Sequence, residues 1–380
     1  MNKISGFLEH WNISIDNVEM WRSRSTRTSM TKQKRLRWLG FFTLGILTLL
    51  TLHPLIPSAI AGGETQASFD RYDRDQRRKF RRDQIFRELG KGQLVMRKTS
   101  YPSLADGLTI PVYIFEPLTR RGTRGHAALI WLHGGVHGDL DPRYFPFIKE
   151  AVDRGYVVIA PEYRGSTGYG REHHEAIDYG GYEIDDCLTA VSYLTSHIPH
   201  VDPERLGVIG WSHGGFIALH SIFRDQVSFK AAAALVPVTN LVFRLSFKGP
   251  RYADRFINQK RIDGPVHEKR DIYIERSPLY HIDKLQTPLL VHVASNDQDV
   301  DFEEAQQLIH ALEYKKPHLA ETRIYIDPPV DEHGGGHTFN RRVDRTGGYA
   351  RVDSRAQRDS WNRIWTFFEW HLEPYPKVRH

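Results

Sequence analysis

The stretch Leu206-Gly-Val-Ile-Gly-Trp-Ser-His-Gly-Gly-Phe-Ile-Ala-Leu219 holds an apolar run, a serine and a histidine between glycines, and a second apolar run. The first run suits a strand buried on both faces, and the second suits a helix. Between them Ser212 has two readings. In one, a glycine-rich turn joins strand to helix and the hydroxyl caps the helix. In the other, Gly210, Gly214 and Gly215 remove the side chains that would collide in a strained turn, and Ser212 is presented as a nucleophile at the strand's carboxyl end.

The second reading makes demands elsewhere. A serine hydroxyl needs a base to take its proton, and an acid must hold that base in the right tautomer. On an open parallel sheet these groups belong at strand ends, in the chain order Ser, Asp or Glu, His. The chain offers them in that order. Asp297 follows the run Pro288–Val293, with Asp299 two residues on as the alternative acid. His337 follows Gly334-Gly-Gly336, with His333 in the same loop as the alternative base. His133-Gly134-Gly135 follows the run ending at Leu132, so an amide of Gly134 or Gly135 is expected to join the amide of His213 in an oxyanion hole.

The rest of the chain supports this architecture. Apolar runs at 108–115, 126–132, 156–160, 206–210, 231–236, 288–293 and 322–326 alternate with helical periodicity at 146–154, 183–197, 214–224, 302–314 and 355–372. That alternation predicts an α/β fold with a mainly parallel sheet covered by helices on both faces. Residues 239–276 break the rhythm. They are polar and basic, carrying Arg244, Lys248, Arg251, Arg255, Lys260 and Arg261, and read as extra helices over one rim with a mainly solvated surface.

The formal charge of +6 is concentrated at the N-terminus, where residues 1–61 hold eight Lys/Arg against three acidic residues. The near-neutral remainder argues against a nucleic-acid partner. Basic Lys32–Arg37, the apolar run Trp38–Leu50 and Ala59-Ile-Ala61 stand in the order of a secretory signal peptide, cleaved before Gly62. An uncleaved membrane anchor is the alternative, and Met30 is an alternative start to Met1. Residues 62–95 read as a charged linker or helix, residues 96–373 as the catalytic domain and residues 374–380 as a tail.

The single cysteine, Cys187, lies in a helical pattern and reads as a packed side chain. His292 reads as a core residue within a strand. Asp185 and Asp186 read as structural, early in a helix. His333 and His337, and the adjacent His173 and His174, bring no obvious third ligand, so neither a metal nor any other cofactor is expected.

The blocks LIWLHGG (129–135), PEYRGSTGYG (161–170), LGVIGWSHGGFIAL (206–219), ERSPLYHIDKLQTPLLVHVASNDQDV (275–300) and GGGHTF (334–339) resemble the catalytic domain of prolyl oligopeptidase family serine peptidases. The likeness is strongest to the dipeptidyl-peptidase and acylaminoacyl-peptidase branches, and it spans roughly residues 96–373. It implies an α/β-hydrolase fold, with Ser212 as nucleophile, Asp297 as acid, His337 as base and the His133 segment as oxyanion loop. Tyr163 and Arg164 would shape the rim, touching substrate together with His133. Val136, Glu162 and Ala294 depart from the family pattern, which commonly has proline, asparagine and glycine there. Only about 35 residues separate Gly62 from the domain, so the family's β-propeller is expected to be absent. The expected activity is that of an exported serine hydrolase acting on a small peptide or aminoacyl substrate, with a carboxylic ester as the rival and a catalytically dead binding protein as the third reading.

Overall fold

The computed structural model describes residues 66–119, 125–224 and 227–374. The expected leader over residues 1–61 and the tail from residue 375 lie outside the described residues.

Eight strands form one sheet in the order β1-β2-β4-β3-β5-β6-β7-β8. They are β1 (Val95–Pro102), β2 (Thr109–Glu116), β3 (His126–Leu132), β4 (Val157–Pro161), β5 (Val201–Trp211), β6 (Ala231–Leu235), β7 (Leu289–Ala294) and β8 (Ala320–Tyr325). The β1–β2 and β2–β4 pairs are antiparallel, and every other pair is parallel. Side chains alternate across each strand, so the apolar runs feed two cores. Ala128, Ile130 and Leu132 of β3 face one. Ala127, Leu129 and Trp131 face the other.

The first core is closed by α4 (Tyr182–His197), α5 (His213–Ile222) and α9 (Phe302–Lys315), through residues such as Leu188, Phe216 and Leu308. The second is closed by α2 (Phe145–Asp153) and α10 (Arg355–Leu372), where Phe147 stacks on Trp361 at 4.6 Å. This is the expected α/β-hydrolase arrangement. Cys187 and His292 are buried in it as read, and His292 sits 2.9 Å from the Ser360 hydroxyl, its imidazole pushed down to about 3 by burial.

One expectation needs correction. The domain does not begin at Met96, because α1 (Gln66–Gly90) packs onto the sheet as one of its covering helices. Phe86 lies between the rings of Tyr113, Phe115 and Phe145. Lys79, 3% exposed, donates to Glu162 at 2.7 Å and to the Leu140 carbonyl at 2.7 Å. The charged pattern concealed this because the buried face of α1 is itself partly charged. Strand β1 leaves little trace in the sequence, because its alternation is weak and it lies at the sheet edge. Its register on β2, from Val95 opposite Glu116 to Pro102 opposite Thr109, holds it in place.

The basic insertion forms α6 (Leu241–Phe247), α7 (Pro250–Ile257) and α8 (Arg270–Glu275). Asn240 caps α6 by accepting from the Phe243 amide. The short helix α3 (Gly170–Glu175) completes the set.

Candidate active site

Strand β5 ends at Trp211 and α5 begins at His213, which leaves Ser212 as the single residue of the turn. Its φ of 56° and ψ of −116° lie where an L-residue is strained. The turn is possible because a Cβ on Gly210 would lie 2.1 Å from the Gly214 carbonyl oxygen, and one on Gly214 would lie 2.3 Å from that of Leu132. Ser212 makes no side-chain capping bond to α5, which removes the capping reading. What the strain achieves is presentation: the hydroxyl stands in a cavity of about 650 Å³ at the carboxyl ends of the parallel strands.

His337 lines the same cavity. Its Nδ1 donates to Asp297 Oδ2 at 2.7 Å. The other oxygen of Asp297 accepts from the amides of Asp299 at 2.9 Å and Val300 at 3.0 Å, so the carboxylate is held at both ends. With the proton on Nδ1, the Nε2 lone pair is free to act as base. Gly336, at φ 49°, approaches the Asn296 carbonyl so closely that a Cβ would lie 2.8 Å from it. That approach seats the histidine loop on the acid loop. Asp299, the alternative acid, lines the cavity but makes no bond to His337. His333, the alternative base, instead faces Glu332 at 3.5 Å. The Ser212 hydroxyl has no hydrogen-bond partner among the described residues, as is common before substrate tightens a catalytic pair.

The oxyanion loop follows β3, packed so close to the elbow that a Cβ on Gly134 would lie 3.4 Å from Ser212 Cβ. Of the two expected donors there, Gly134 is already used: its amide donates to the Tyr144 hydroxyl at 2.8 Å. Gly135 retains a free amide among the described residues and borders the cavity. The His213 amide, in the first turn of α5, has no intrahelical acceptor. Gly135 and His213 are therefore the pair available to an oxyanion.

His133, Tyr163 and Arg164 are not at the rim. All three are buried, and none lines the cavity. The Tyr163 hydroxyl lies 3.0 Å from the carbonyls of both His133 and Gly135, and its ring stacks on His133 at 4.3 Å. Burial pushes the His133 imidazole down to about 4, and Nε2 sits 3.0 Å from the Ser166 hydroxyl. Arg164 binds Asp186 at 2.8 Å and Asp106 at 2.8 Å. Tyr163 braces the oxyanion loop that His133 begins, and Arg164 ties its own segment to Asp186 and Asp106, so the contribution of all three is positioning and not substrate contact. Asp186 is structural as expected, though through Arg164 and not through a helix end.

The insertion contributes more than a solvated surface. Arg244, Lys248, Tyr252, Arg255, Phe256 and Gln259 all line the cavity. Arg244 is anchored by the buried Glu304, at 2.9 Å, whose other oxygen accepts the amides of Thr239 and Asn240. Arg341 lines the cavity as well, and no sequence signal singled it out.

Fold and site together define an α/β-hydrolase with a Ser212–His337–Asp297 constellation. The prolyl oligopeptidase family model matches residues 143–372. The chain belongs to that family, as the resemblance in its sequence implied. It is 32% identical over 269 residues to an uncharacterized peptidase of Bacillus subtilis (strain 168), YuxL, a match covering 70% of this chain and 38% of the relative. It is 30% identical over 240 residues to acylamino-acid-releasing enzyme 1 of Oryza sativa subsp. japonica, covering 61% of this chain and 30% of the relative. In fold it is similar to Pyrococcus horikoshii acylaminoacyl peptidase, with a TM-score of 0.60, 19% identity and coverage of 78% of this chain and 45% of that one. The chain thus spans less than two fifths of the length of these curated relatives.

Proposed function

We propose that this protein is an exported serine peptidase that cleaves short peptides or aminoacyl substrates through an acyl-enzyme. The observation that carries the reading is the Asp297–His337 bond of 2.7 Å in the same cavity as a strained, presented Ser212. Ser212 Oγ attacks the substrate carbonyl carbon as His337 Nε2 takes its proton. The carbonyl oxygen becomes an anion between the Gly135 and His213 amides. The C–N bond then breaks, and His337 returns the proton to the departing amine. Water attacks the acyl-Ser212 ester, gives its proton to His337 and releases the acid, and the proton returns to Ser212.

Support for a peptide substrate comes from family membership and from the names of the relatives. An active-site phosphonate should label Ser212 in the wild type. A panel of aminoacyl-anilides against short acyl esters then reads the substrate class, and turnover confined to esters would replace peptidase by carboxylesterase. Absence of both label and turnover would leave only a hydrolase-shaped binding protein. Export rests on the order of charged, apolar and small residues over 32–61. N-terminal sequencing of protein from the exported fraction should find Gly62 first, and a chain retaining Trp38–Leu50 in the membrane would mean an anchor instead.

A further inference from the structure

Four cationic side chains line the cavity beside Ser212, and two of them are already committed. Arg244 is tied to Glu304 at 2.9 Å and to the Asp299 carbonyl at 2.8 Å. Lys248 is tied to the Gln298 carbonyl at 2.9 Å and to Asp301 at 3.3 Å. Arg255 and Arg341 have no carboxylate partner among the described residues, although both border the space that holds Ser212 and His337.

Arg341 is the more constrained. Its guanidinium carbon lies 4.8 Å from the centre of the Tyr144 ring and 5.8 Å from that of Trp211. Its Nε is removed from water and has no acceptor among the described residues. Packing against the two rings already restricts the guanidinium before any ligand arrives, so less side-chain freedom remains to be lost. Arg255, on α7, lies 5.6 Å from the centre of the Tyr252 ring and adds a second unneutralised charge. Among the described residues the only acidic side chain on the lining is Asp299, which is exposed. An excess of positive charge in a walled cleft attracts and retains anionic groups.

We infer that this cavity selects substrates carrying a carboxylate close to the scissile carbonyl, with Arg341 as the direct receptor and Arg255 as a second positive wall. The inference rests on the hydrolase reading above. A planar guanidinium matches a carboxylate by two parallel N–H···O bonds, which neither a neutral amide nor an ester oxygen reproduces. Two sources supply that group: an acidic side chain on the substrate, or the free C-terminus of a short leaving peptide.

Two matched pairs of peptides separate them. One pair differs only in Glu against Gln beside the scissile bond. The other differs only in a free C-terminal carboxylate against its amide. The wild type should favour the carboxylate member of at least one pair by about 10- to 100-fold in kcat/KM, mainly through KM, because the contact is made in ground state and transition state alike. The pair that responds identifies the source. Arg341→Gln should collapse that ratio to within about threefold, and Arg341→Lys should restore part of it. Arg255→Gln, on the insertion, should reduce it by roughly 2- to 5-fold, and this variant stands in if Arg341→Gln does not fold. The same four peptides are also titrated calorimetrically against Ser212→Ala, which reads selection without turnover. Ratios near one in both pairs, or ratios unchanged by the Arg341 and Arg255 substitutions, overturn the inference even if the enzyme is active. Absence of turnover and of phosphonate labelling overturns the hydrolase reading, and the calorimetric ratios then still decide whether the cavity selects carboxylates.

Discussion

Residues 206–215 and residues 239–276 meet at one cavity and reach it by opposite means. In the first segment the backbone does the positioning. Glycines at 210 and 214 let strand and helix approach to distances that any Cβ would forbid, and Ser212 takes up the strain. In the second, long side chains do it. Arg244 reaches Glu304 on α9, and Lys248 reaches the loop that carries Asp297. Backbone positioning leaves a local trace in the sequence. Side-chain anchoring depends on a partner some 60 residues away, as for Arg244 and Glu304, and leaves none.

The largest test falls on the backbone-built side. Ser212→Ala or His337→Ala should each lower turnover by about 10⁴-fold or more, and the double variant should be little worse than either, because the members act as a unit. Steady-state rates with a responsive substrate check this. His333→Ala should keep most of the rate, and the reverse pattern would mean that the loop is seated in another register.

On the side-chain-built side the effect should appear in stability. Arg244→Met leaves the Glu304 carboxylate buried without its cation, at a cost of about 3–5 kcal/mol. Adding Glu304→Gln should recover a substantial part of this. Urea denaturation of the four proteins in the cycle gives the coupling, and additive losses would show that the insertion is not anchored through this pair.

Smaller effects probe how the two sides are joined. Tyr144→Phe removes the hydroxyl that accepts from the Gly134 amide and so loosens the oxyanion loop. A fall in kcat of roughly 10-fold or less, with little change in KM, is expected. A larger loss would bring Tyr144 itself into contact with the reacting oxygen.

The smallest expected signal is a pH dependence. Burial pushes the Glu183 carboxyl up to about 8, against the pull of the Gly180 amide. The folded protein therefore holds a proton there that the unfolded chain releases in the ordinary carboxyl range. The stabilisation from this group is complete below that range and is lost as pH rises through about 8. Glu183→Gln should flatten the decline in melting temperature between about pH 6 and about pH 9. An unchanged slope would mean that Glu183 ionises normally despite its burial 3.6 Å from the His213 ring.

Much of the site was legible because its chemistry is written in short segments. The order Ser212, Asp297, His337 followed from strand ends and glycines, and the structure joins the last two directly. The choice of Asp297 over Asp299 was legible as a preference only, since two residues on one loop differ by the direction each side chain takes. The rim was misread. Tyr163 and Arg164 sit in a recognisable block, but a block's presence does not say whether its side chains face substrate or support the loop above. Arg341 and Tyr144 carried no signal, because packing against Tyr144 and Trp211 is what places Arg341 at the cavity, and Tyr144 acts from beneath it through the Gly134 amide.

By itself, the sequence determined the alternating strand and helix pattern, the strained turn at Ser212 and the chain order of the catalytic groups. These follow from side-chain periodicity and from where only glycine fits, both of which are local properties. Tertiary structure decided that α1 belongs to the domain, that among the described residues the amide of Gly135 and not that of Gly134 is free, and that two arginines line the nucleophile's cavity with no carboxylate partner among those residues. Each of these depends on which distant group a polar atom meets. Lys79 finds Glu162 and Gly134 finds Tyr144 only once the sheet has brought their elements together, since a hydrogen bond is a property of the pair and not of either residue.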